Sequence, residues 1–75
     1  MKLSPAAEAL HEAIAKAGTQ AALAALVGVT QPAVAAWVRA GRVPPWHAIV
    51  IEAVIGIPRW RLRPDVWPTA EEAAA

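Results

Sequence analysis

The chain opens on Ser4 and Pro5, then repeats small or apolar positions at Ala7, Leu10, Ile14 and Ala17, with Glu8, Glu12 and Lys16 on another side. That spacing predicts an amphipathic helix, started by a capping hydroxyl and a proline in its first turn and closed by Gly18. Thr19 predicts a cap for a second helix, Gln20 to Val27, with Leu23, Leu26 and Val27 inward and Gly28 in a left-handed turn. Two residues later Thr30 predicts the cap of a third helix, with Gln31 and Pro32 in its first turn and Gly41 after its end. Its inward stripe is Ala33, Val34, Trp37 and Val38, which leaves Gln31, Ala35, Ala36 and Arg39 outside. Two short helices joined through a glycine-containing turn are the arrangement of a helix-turn-helix, here at about residues 20–40.

After Pro44 and Pro45, the segment Trp46 to Ile55 is apolar almost all round, with Glu52 its only acid and His47 in its first turn. A helix of that kind is normally enclosed, so neighbours or a second copy are expected to cover it. A dimer or partner surface is expected at Ile51, Val54, Ile55, Trp60 and Trp67. From Ile57 to Pro68, tryptophans alternate with Arg59, Arg61, Arg63 and three prolines, predicting at most one short helix and a segment docked on the others. Residues 69–75 lack core-building side chains and are expected to form a flexible acidic tail. The pattern therefore predicts a single all-α domain over 1–68, made of four to five short helices.

Composition narrows this further. Seventy-five residues suit one domain and leave little room for a deep cleft. Much of the 57% hydrophobic content is Ala, which favours helix and buries little surface per residue. Trp37 and Trp46 are expected as core or interface anchors. Cysteine is absent, which excludes a disulfide frame and suits a reducing compartment. No stretch approaches the roughly 20 apolar residues of a membrane span, and the first residues lack a signal-peptide pattern. A soluble, cytoplasmic protein is expected, without a membrane partner.

The net charge is only +1, but it is unevenly spread. Between Thr19 and Pro64, Arg39, Arg42, Arg59, Arg61 and Arg63 face the single acid Glu52, while Asp65, Glu71 and Glu72 follow without a base. A basic centre next to a helix-turn-helix suits either a solvated arginine face or a face for DNA phosphates. Gln31 has an amide that can donate and accept together, matching the N6/N7 edge of adenine. Thr30 can reach a phosphate or a thymine methyl, Gln20 a phosphate, and Arg39 and Arg42 phosphate, with guanine also open to Arg42. Arg59, Arg61 and Arg63 are candidates either for phosphate or for pairing with acids such as Asp65. Enzyme chemistry lacks its inventory: Cys and Tyr are missing, His11 and His47 are the only histidines, and no metal-ligand spacing or phosphate loop occurs. No catalytic residue, metal or cofactor is expected.

The stretch "TQAALAALVGVTQPAVAAWVRAGRVPP", Thr19 to Pro45, resembles the helix-turn-helix of Cro-type phage repressors. Joined to "LRPDVWP", Leu62 to Pro68, it is similar to the YdaS-like Cro/CI-type regulators of prophages. The resemblance implies a lambda-repressor-like fold, a double-stranded operator and repression by occupying a promoter, while the apolar run Ile49 to Ile55 and the small size lead to an expected homodimer and with it a palindromic operator. It also implies base or nearby backbone contacts from Gln31, Pro32, Ala35, Ala36 and Arg42. Ala35 and Ala36 depart from the Ser or Asn and the Lys common there, although an Ala methyl can still touch a thymine methyl. The alternative is an antitoxin-like or adaptor protein that uses the same fold to hold a protein partner.

Overall fold

The computed structural model describes residues 2–69, and the tail beyond Thr69 lies outside the described residues. Five helices follow one another: α1 (Pro5–Ala17), α2 (Gln20–Val27), α3 (Gln31–Ala40), α4 (Pro45–Ile55) and α5 (Arg59–Leu62). The described residues contain no strand, as the helical spacing predicts. The three hydroxyl caps act as expected. Ser4 Oγ accepts the Ala7 N–H at 3.2 Å, Thr19 Oγ1 the Ala22 N–H at 3.0 Å, and Thr30 Oγ1 the Ala33 N–H at 3.3 Å. Each satisfies one amide that the first helical turn leaves unpaired.

The α2–α3 turn decides the geometry of the domain. Gly28 sits at φ 83°, where an L side chain is strained, and its N–H and that of Val29 both donate to the Ala24 carbonyl. The chain thereby reverses within three residues, and the axes of α2 and α3 turn through 110°. Helix α1 packs across α2, α3, α4 and α5 and gathers them around one core. Leu10, Leu23, Val34, Val43, Ile51, Ile57 and Leu62 fill that core, and Ala9, Ala13, Ala24 and Ala48 allow close approach between helices. No polar or charged residue among those described is buried.

Two expectations are corrected by the packing. Leu26 is 52% exposed rather than inward, because α2 is apolar at every position except Gln20 and its spacing cannot select a face. Trp46 is 68% exposed, while Trp37 is buried. Helix α4 is enclosed on one side only, through Ala48 and Ile51, and Trp46 leaves its first turn on the opposite side. Ile51 is fully buried and belongs to the core, so it cannot contribute to a dimer or partner surface. No single helix among the described residues is long and apolar enough to cross a membrane.

Candidate nucleic-acid interface

At about 100° per residue, Gln31, Pro32, Ala35, Ala36 and Arg39 fall within an arc of about 140° on α3. Val34 and Trp37 are buried on the other side, with Ala33 and Val38 half-buried beside them. Gln31, Pro32, Ala36 and Arg39 are exposed and Ala35 is half-buried. Thr30 and Arg42, just before and just after the helix, are exposed too, so seven of the eight expected contact residues lie on or beside this ridge. The eighth, Gln20, is half-buried at the start of α2.

Gln20 and Gln31 meet. The Gln31 Nε2 donates to Gln20 Oε1 at 3.1 Å across the helix pair. Each glutamine immediately follows a capping threonine, and the tight turn brings the two helix starts together. This bond leaves Gln31 with its Oε1 and one amide hydrogen, and leaves Gln20 with its own NH₂ group.

The arginines divide sharply. The Arg59 Nη2 lies 2.7 Å from Glu52 Oε1, and its Nε and backbone N–H also donate to that carboxylate, which lowers the Glu52 pKa chiefly through the backbone bond. Arg61 pairs with Glu12 at 2.6 Å. Glu12 is thus bound to α5 instead of acting with Lys16 along its own helix. Arg63 grips Asp65 through two hydrogen bonds, Nε to Oδ1 at 2.9 Å and Nη2 to Oδ2 at 2.7 Å. Only Arg39 and Arg42, of the five arginines in the basic centre, make no ion pair with a described residue. Within that basic centre, the positive charge left for a partner is therefore at the third helix and the loop after it.

Residues 10–71 match the family profile described as "Bacterial toxin YdaS". The chain belongs to the YdaS family. Its fold is similar to the Cro protein of Xfaso 1, an element described as a prophage, in Xylella fastidiosa strain Ann-1. The two are 43% identical, the match covers 81% of this chain and 97% of that one, and the TM-score is 0.78. No curated protein matches the chain. The YdaS-family chain is accordingly a Cro-like, all-α helix-turn-helix domain.

Sequence reasoning placed Gln20 and Gln31 separately at DNA and missed their mutual bond, although the repeated Thr-Gln at both helix starts is a signal for it. It also missed the Arg63 bond to the Val43 carbonyl, while the pairing of Arg63 with Asp65 is one of its two alternatives. The remaining residues of the expected apolar surface do not act alike in this YdaS-family fold. Val54 is 47% exposed, Ile55 is half-buried against the core, and Trp60 is half-buried in a recess lined by Pro5 and Pro64. Trp67 packs on the core with the Arg59 guanidinium 5.5 Å from its ring centre. The described residues contain no group of three His, Cys, Asp or Glu able to hold a metal.

The Asp65 carboxyl is held well below its usual value, at about 2, mainly by its hydrogen bonds from Arg63, with the charge of Arg42 adding to the effect. A carboxylate with a depressed pKa stabilises the fold above its unfolded value, and that contribution is lost as pH falls through the folded value. In an acid titration followed by NMR, Asp65 should therefore titrate near 2 and move back toward 3.8 in Arg63→Gln. An unchanged midpoint in that variant would show that the fork is not what holds the charge.

Proposed function

We propose that this protein is a sequence-specific double-stranded-DNA-binding regulator, a Cro-like repressor that occupies a promoter in the bacterial cytoplasm. The observation that carries this reading is the Gln20–Gln31 hydrogen bond at the open end of a helix-turn-helix. In such a motif the first turns of the second helix reach base edges, while the preceding helix lies across the backbone. Held by Gln20, the Gln31 amide keeps one donor and one acceptor for the N6/N7 edge of adenine. The Gln20 NH₂ and the α2 amides are placed for a phosphate. Thr30 and Pro32 flank the groove entrance, and Ala35 and Ala36 offer methyls where larger polar groups would enforce one base. Arg39 and Arg42 supply the charge for the strand beside them. Two protomers on a palindromic site would double each of these contacts.

Counterion release gives this arrangement a numerical signature. Two phosphate-contacting arginines per protomer correspond to a slope of log affinity against log salt of about −2, or about −4 for two protomers. The purified protein, titrated onto duplex from just upstream of its own gene and onto scrambled duplex at several salt concentrations, should prefer the upstream duplex with one of these slopes. Equal, weak binding to both duplexes would sink the reading. A slope near −5 per protomer would instead mean that Arg59, Arg61 and Arg63 leave their acids for phosphate.

The family description as a bacterial toxin favours a second reading, in which the domain acts by holding a protein partner. Its surface would include Trp46 and Val54, the exposed apolar side chains of α4. In that case Gln31→Ala and Arg42→Ala would leave activity untouched.

A further inference from the structure

The Arg63 side chain is only 12% exposed, and each of its three guanidinium nitrogens donates a hydrogen bond. Besides its fork on Asp65, its Nη1 donates to the backbone carbonyl of Val43 at 2.9 Å, across 20 positions of sequence. Val43 is buried and directly follows Arg42. On the other side, the Arg42 N–H donates to the Trp37 carbonyl at 3.1 Å, and the Gly41 N–H to the same oxygen at 2.8 Å. The backbone of Arg42 is thus fixed at both ends while its side chain remains exposed.

Arg63 and Arg42 line one hollow of about 270 Å³ together with Ala36, Trp37, Ala40 and Pro44, on the flank of α3. The charge of Arg42 is felt at Asp65. Arg63 therefore does two things for its neighbour. It anchors the loop through a carbonyl, and it occupies both oxygens of the carboxylate that would otherwise be open to Arg42.

We infer that Arg63 is a positioning residue for Arg42: forked on Asp65 and bonded to the Val43 carbonyl, it holds the Arg42 loop at the DNA-facing edge of α3. The inference rests on the DNA-binding reading above and deepens it. Arg63 itself contributes no free charge to the nucleic acid, because Asp65 neutralises it. A guanidinium is needed for this task, since a planar fork reaches two carboxylate oxygens and a carbonyl at once, whereas an ammonium is a single point of charge.

The test compares Arg63→Lys, which keeps the charge, with the wild type in two measurements on the full chain. In the absence of DNA, amide exchange at Arg42 should quicken about tenfold while exchange in α1 stays unchanged, as for a local opening. With DNA, affinity for both duplexes should fall about tenfold, the scale of one lost phosphate contact. In an Arg42→Ala background, Arg63→Lys should no longer change that affinity, because it acts through Arg42. Unchanged exchange at Arg42 overturns the inference, and so does an equal loss of affinity in both backgrounds. A wild-type chain without any duplex preference overturns the DNA reading, while exchange at Arg42 still decides on its own whether Arg63 holds the loop.

Discussion

Trp37→Ala is expected to cost about 3–5 kcal/mol of folding stability, the range for removing a large aromatic from a packed interior. Trp37 is 7% exposed, lies within the core cluster, and meets His47 of α4 with ring centres 5.0 Å apart at 40°. Its removal opens a cavity on the inward side of α3. A domain of this size has a total stability of roughly 4–11 kcal/mol at typical values per residue, so the variant should lose a large share of it and melt well below the wild type. Trp46→Ala is the matched control. At 68% exposure it should change stability by no more than about 0.5 kcal/mol. Urea denaturation followed by circular dichroism measures both, and similar costs for the two would contradict the burial of Trp37.

Gln31→Ala should reduce the preference for the upstream duplex about tenfold to a hundredfold, since a bidentate amide–base pair discriminates by about 1–3 kcal/mol. Binding to scrambled duplex should hardly change, because Arg39 and Arg42 remain, and the melting temperature should stay put because Gln31 is exposed. Gln20→Ala should act in part through the same amide, by releasing the Gln31 Nε2 it holds. The two effects should therefore fall short of additive in a double-mutant cycle, as expected for residues in contact. Full additivity would mean that the pair does not act as a unit, and an effect on both duplexes alike would move Gln31 from base reading to general adhesion.

The parts of this fold that local chemistry controls could be read directly from the chain. Ser4, Thr19 and Thr30 each lie just before a helix, and Gly28, Gly41 and Gly56 each lie just after one, because caps need those side chains or that backbone freedom. The ridge of α3 was equally legible, since Val34 and Trp37 fix the inward side and the remaining positions follow from the helical period. Contacts between distant segments were not. Arg61 with Glu12 and Arg63 with the Val43 carbonyl join residues far apart in sequence, and no spacing rule selects such partners. Periodicity also fails where nothing alternates, which is why Leu26 and Ile51 were assigned to the wrong sides. Val43, Ile57 and Leu62 were passed over as core residues because they lie in a loop, a linker and a four-residue helix, where no stripe marks them.

The absence of buried polar or charged side chains among the described residues has a thermal consequence. Such an interior is held by the exclusion of water, a force that is almost entirely entropic near room temperature and weakens on cooling. Mild acid acts on the outer ion pairs, whereas chilling acts on the interior itself. Small domains reach the crest of their stability curve at about 10–20 °C. Below that crest this protein loses cohesion from within, and a sample kept on ice stands on the cold slope of its own stability curve.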